Sequence, residues 1–173
     1  MTQLSLYFGM LMLTANFSST AQDLPTTPVI SQANATSEEQ RLVDLVNYER
    51  SWRGMNQLTI DPVLVEAARA HSEEMAEKDY FDHYSPTPEL RTAMDRYLAA
   101  LGHKPDWAYL GENLFYCSIV DANRAHNRLM NSHGHRANIL NPKFESIGVG
   151  IYKSPDGQFW VTQMFLASTD GLT

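Results

Sequence analysis

The sequence predicts an α+β domain in which helices pack against a sheet. Two periods carry that expectation. Apolar residues recur at helical spacing in separate segments between residue 37 and about residue 131. Strict alternation then takes over between Ile147 and Leu166. Both alternating sets in that last third carry apolar side chains, so both faces of the sheet are expected to be covered.

The chain opens with an apolar run, Leu4 to Leu13, too short to span a bilayer, which needs about 20 such residues. It leads into small polar residues with Ser19 and Ala21 suitably placed for cleavage, so residues 1–21 read as a signal peptide, although no Lys or Arg precedes the run. Residues 22–36 are rich in Pro, Thr, Ser and Asn and read as a linker, with the domain expected over 37–170. Thr36 and Glu39 form a capping box that opens a helix over about 37–52, with Leu42, Leu45 and Val46 on its apolar stripe. Asp61–Pro62 starts a second helix, whose buried face is expected to hold Leu64, Ala67, Ala68, His71 and Met75. Thr87–Pro88 is expected to open a third, with Leu90, Met94, Leu98 and Leu101 inward and Gly102 as its stop. A fourth is expected from about Asp121 to Asn131. Ile147, Val149 and Ile151, a Ser-Pro-Asp-Gly turn, and then Phe159, Val161, Gln163 and Phe165 predict an antiparallel hairpin.

Composition limits what the domain can do. The chain has 173 residues, 43% hydrophobic and 19% charged, which is globular rather than disordered. Its net charge of −7 gives it no long-range attraction for phosphate backbones or anionic lipid, so nucleic acid is a poor partner. Cys117 is the one cysteine, which excludes an intramolecular disulfide and leaves no thiol near residue 21 for a lipid anchor. It comes after Leu114–Phe115–Tyr116 and is expected to pack as a small apolar side chain.

The chain has six histidines. His71 lies on an apolar stripe and is expected in the core. His103 and His126 stand in polar surroundings and are expected at the surface. His83 comes after Tyr80–Phe81–Asp82 at a helix end. Glu112 sits between Leu110 and Leu114, where a carboxylate needs a partner to be buried. His135 lies in Ser132–His133–Gly134–His135–Arg136, where Ser132 can cap a short helix anchored by Ile139–Leu140. His133 and His135, two apart on a helix, need not act together. Spacing alone does not bring His83 to His135.

The order of these segments resembles the CAP superfamily (cysteine-rich secretory proteins, antigen 5 and pathogenesis-related proteins), in its bacterial, disulfide-free SCP-domain branch. The likeness rests on Leu42–Arg50, Ala70–Ala76, Tyr80–Phe81–Asp82–His83, Gly111–Glu112–Asn113–Leu114, Leu129–Leu140 and Ile147–Gly148–Val149–Gly150. The resemblance implies a three-layer α-β-α sandwich with a small antiparallel sheet and a central cleft. It places the family's two cleft histidines on His83 and His135 and one acid on Glu112. The second acid falls on Ser132, and the helical Trp that precedes it in eukaryotic members is Leu129 here. His133 replaces a usual Pro, which adds an imidazole near the cleft.

The residues that the resemblance assigns to the cleft set an expectation about function. Two imidazoles and a carboxylate can hold zinc or another divalent cation weakly, through His83 and His135, with water in the open position. The favoured reading is a secreted, non-enzymatic extracellular binding module, extracellular or periplasmic. It has no stable membrane anchor, and its ligand is a small molecule, a lipid or a cell-wall component. The alternatives are a metal- or His-assisted hydrolase of extracellular peptide or cell-wall bonds, with His83, Glu112 and His135 as candidate catalytic groups, and a carrier of a lipid or sterol. No nucleophile elbow or His-Glu-x-x-His helix supports an enzyme from the residues alone.

Overall fold

A computed structural model describes residues 36–169. The signal peptide expected over 1–21 and the linker expected over 22–36 lie outside the described residues, Thr36 excepted. The elements are α1 (Ser37–Trp52), β1 (Thr59–Ile60), α2 (Pro62–Glu77), α3 (Ala93–Leu101), β2 (Ala108–Cys117), α4 (Ala122–Asn131), α5 (His133–Ile139), β3 (Ser146–Lys153) and β4 (Phe159–Ser168).

The expected capping box forms at the start of α1. Glu39 N donates to Thr36 Oγ1 at 3.3 Å, and Thr36 N donates to the Glu39 carboxylate at 2.7 Å. Glu39 does more than cap. It is fully buried and accepts from Arg69 Nε of α2 at 2.8 Å and from Ile151 N of β3 at 3.1 Å, so one residue ties three elements together. Burial opposes its ionisation most strongly, but Arg69 and the two backbone donors outweigh burial and hold its pKa below the ordinary value.

The third helix starts later than Thr87. Pro88–Leu90 makes only one 3₁₀ turn, and α3 begins at Ala93. The reason is local: the Thr87 hydroxyl is spent on Glu74 of α2, whereas Thr92 and Asp95 exchange backbone bonds of 3.1 and 2.8 Å in a second capping box. Gly102 ends α3 at φ 78°, as expected.

The expected hairpin is β3–β4, paired from Ser146↔Leu166 to Lys153↔Phe159. Two strands join it that the alternation did not reveal. β2 pairs antiparallel with β4 over its full length, and the two-residue β1 pairs parallel with β3. The sheet is therefore mixed, in the order β1-β3-β4-β2, with β2 at an edge. β2 went unread because Gly111, Glu112 and Asn113 interrupt its apolar pattern.

Side-chain alternation along β4 separates two cores. Phe159, Val161 and Phe165 meet Leu42, Val46, Ala125, Leu129 and Ile139 from α1, α4 and α5. Met164 and Leu166 meet Leu64, Ala67, Ala68 and Tyr97 from α2 and α3. That is the three-layer α-β-α sandwich. Helix α2 lies on bare backbone: a Cβ on Gly150 would fall 2.0 Å from Arg69 N, and one on Gly148 would fall 2.3 Å from the Leu64 carbonyl carbon.

Burial sorts three of the side chains placed by sequence. His71 is 1% exposed and its Nε2 bonds the Asp82 carbonyl at 3.2 Å, as a core histidine should; burial lowers its pKa to about 4. His126 corrects the surface expectation: it is 3% exposed, because with Ala122, Ala125 and Leu129 it falls on the inward face of α4. Cys117 is half-buried against the core and donates to the Ile119 carbonyl at 3.0 Å.

Candidate functional site

Glu112 and His83 come together at the edge strand. Glu112 lies on the face of β2 that looks toward α2 and α3, since its register partner on β4 is Met164. His83 sits in the segment between α2 and α3, and its Nδ1 is 2.8 Å from Glu112 Oε1. The carboxylate is 5% exposed and the imidazole about half exposed, at 50%. The other carboxylate oxygen accepts from Arg96 Nη2 of α3 at 2.5 Å. Arg96 is itself 3% exposed and also donates to the backbone carbonyls of His83 at 3.2 Å and Leu90 at 3.0 Å. It therefore fixes both the carboxylate and the segment that carries the imidazole.

This ion triad sets the electrostatics of the site. Burial resists ionisation of Glu112 most strongly, yet the bond from His83 and the charge of Arg96 prevail and its pKa is lowered. The Glu112 bond raises the pKa of His83 above 6.5, against the effect of partial burial. With the carboxylate holding Nδ1–H, the Nε2 lone pair of neutral His83 is available to a cation or a proton donor.

His135 arrives from the opposite layer. It lies in α5, which packs on β2 from the α1 side of the sheet. Asn113, the residue after Glu112, points to that side and donates from Nδ2 to the His135 carbonyl at 3.1 Å and to Gln163 Oε1 of β4 at 3.1 Å. Asn138 Nδ2 donates to the Glu112 carbonyl at 3.0 Å and to Asn113 Oδ1 at 2.9 Å, which closes the outer edge of β2. Burial lowers the pKa of His135 first, and the positive charge of nearby His83 lowers it further. His83 and His135 are thus carried to the edge strand from opposite helical layers, His83 by its bond to Glu112 and His135 through its backbone carbonyl on Asn113.

The remaining predicted residues take lesser parts. Ser132 does occupy the N-cap of α5, but its side chain makes no capping bond, which corrects the expectation. Only its carbonyl serves, accepting from Arg136 N at 2.9 Å. His133 is exposed on the first turn of α5. Glu112 has both oxygens engaged, one by His83 and one by Arg96. Among the described residues no group of three or more His, Cys, Asp or Glu side chains is arranged to hold a metal.

Sequence reasoning missed Arg96, Asn138 and Gln163. Arg96 gives no signal, being one basic residue in an amphipathic helix. Gln163 gives one: it is the polar member of the otherwise apolar Phe159, Val161, Phe165 series.

The cysteine-rich secretory protein (CAP) family profile matches residues 43–165. An uncharacterized protein of Bacillus subtilis (strain 168), YkwD, is 36% identical over 144 residues, 81% of this chain and 51% of its own. The crystal structure of an extracellular protein containing an SCP domain from Bacillus anthracis aligns at TM-score 0.65 with 34% identity, covering 76% of this chain and 40% of that one. NaASP2, solved with Zn2+, aligns at TM-score 0.54 with 14% identity over 75% of this chain and 80% of that one, a likeness of fold. The chain spans about half the length of YkwD and two fifths of the B. anthracis protein.

Proposed function

The chain belongs to the cysteine-rich secretory protein (CAP) family, and from that premise we propose a secreted binding module whose cleft takes a divalent cation such as zinc through His83 and His135. The observation that carries this reading is the 2.8 Å bond between His83 Nδ1 and Glu112. It orients a histidine in the manner of carboxylate–histidine–metal triads and leaves Nε2 outward. Two imidazole donors fit zinc, and a cation held by two side chains is exchangeable, with a dissociation constant on the order of a micromolar or weaker. Open coordination positions would then admit an extracellular ligand. No described helix is long and apolar enough to cross a membrane, and the B. anthracis relative is an extracellular protein, both in keeping with export.

Titration calorimetry with zinc tests the reading. Wild type should give saturable heats that His83→Ala and His135→Ala each abolish. Equal heats from all three would remove the metal site.

The same bond supports a second reading, in which His83 Nε2 acts as a general base oriented by Glu112 and Arg96. It requires turnover of a peptide, ester or muropeptide that His83→Ala loses. Equal rates in wild type and the variant would reject it.

A further inference from the structure

Phe81, Tyr116 and Trp160 make one aromatic cluster beside the cleft. Ring centroids are 4.1 Å apart for Tyr116–Trp160, 6.1 Å for Phe81–Tyr116 and 6.2 Å for Phe81–Trp160. Trp160 is 7% exposed and packs with Met75 and Leu114, whereas Phe81 is 50% and Tyr116 41% exposed. The outer two rings therefore lean on a buried third and keep about half of their surface open to solvent.

The cluster is continuous with the site. Phe81 precedes His83 by two residues. Tyr116 comes four residues after Glu112 on the same strand and so lies on the same face, about 13 Å further along. A molecule in contact with both ends must be extended, with apolar surface at one end and hydrogen-bonding groups at the other.

We propose that this shelf is a stacking subsite for a neutral pyranose polysaccharide running out of the His83–Glu112 cleft. The inference rests on the binding-module reading and names its ligand class. Pyranose rings carry C–H groups on their faces and hydroxyls at their rims. One face can lie on a half-open aromatic ring while the rim stays hydrated or bonds to His83. A lipid tail would need enclosure, and Phe81 and Tyr116 remain 50% and 41% exposed. Polyanions are disfavoured by the net charge of −7.

Calorimetry with N,N′,N″-triacetylchitotriose and cellotriose, with and without zinc, tests this. At least one of the two should bind. Tyr116→Ala and Phe81→Ala should each weaken that binding about tenfold, as expected when about 1.4 kcal/mol of ring stacking is lost. Tyr116→Phe keeps the ring and should stay within about twofold of wild type. Circular dichroism and the melting temperature verify that each variant is folded. Zinc heats should be unchanged in Tyr116→Ala, because the shelf does not ligate the cation. Failure of both sugars to bind, or equal binding by wild type and the folded Ala variants, overturns the inference. So does a shelf that takes palmitate or an unstructured peptide in place of the sugars. Saturable zinc heats with no sugar binding would sink this inference alone, and sugar binding by a protein that gives no zinc heats would sink the metal reading alone.

Discussion

Nδ1 of His83 lies 2.8 Å from Oε1 of Glu112, twenty-nine residues further along the chain. That bond decides which imidazole nitrogen faces outward, and with it how the cleft responds to pH.

Zinc affinity should weaken on acidification from above pH 6.5. A cation needs the neutral ring, and Glu112 raises the pKa of His83 above its ordinary 6.5. The shift moves the loss upward from the fall below about pH 6 that unperturbed histidines predict. Glu112→Gln should lower the His83 pKa and still cost about 10–100-fold in zinc affinity, because the ring loses its orienting partner. Calorimetry across neutral pH measures both, and an unchanged pH midpoint in Glu112→Gln would contradict the assignment.

Arg96→Met should raise the His83 pKa further. The guanidinium competes for Glu112 and its charge lowers the His83 value. The substitution also strands a buried carboxylate, so a loss of about 3–5 kcal/mol in stability is expected. NMR titration of the His83 ring reads the first effect and denaturant unfolding the second. A His83 pKa that falls in the variant would show that Arg96 acts elsewhere.

Acid should unfold the domain below about pH 4.5. Glu39, Glu74 and Glu112 all have folded pKa values below the ordinary 4.5, that of Glu74 about 2. Their contribution is complete above 4.5 and is lost as pH falls through the folded values. His83 has the opposite sign. Its raised value adds stability below 6.5 that disappears as pH rises through the folded pKa. His71, its pKa lowered to about 4 by burial, removes stability as pH falls below 6.5, so metal-free protein should melt at its highest temperature near pH 6.5, and Glu39→Gln should flatten the acid limb of the melting profile.

Gly150→Ala should destabilise the fold by more than about 3 kcal/mol. The new methyl would meet the α2 backbone, with Arg69 N at 2.0 Å and the Ala68 carbonyl carbon at 2.2 Å. Gly134→Ala is the control, since nothing lies within 4 Å of its Cβ and α5 gains a better helix former. Equal stability of the two variants would mean that α2 can lift off β3 at little cost.

The helix starts at Thr36 and Asp61, the stop at Gly102 and the β3–β4 hairpin were legible because each depends on neighbours within a few residues. Capping and alternation are local physics, and the chain writes them locally. Family likeness then supplied the three layers and pointed to His83, Glu112 and His135. Other features lay beyond any local reading. Thr87 lost its helix start to a carboxylate on α2, His126 turned inward with the buried face of α4, and Ser132 kept its cap position without a side-chain bond.

What the sequence determined by itself was the set of amphipathic segments and the polar residues set among them, since periodicity is a property of each segment alone. Only the tertiary structure decided that β2 is an edge strand. An edge is defined by which neighbours a strand lacks, and at this one His83 bonds Glu112 from one helical layer while α5 bonds Glu112 and Asn113 from the other. Arg96 holds His83 and Glu112 together on one face, and Asn113 and Asn138 hold α5 on the other. Those bonds join residues distant in sequence, and pairing and burial alone fix them.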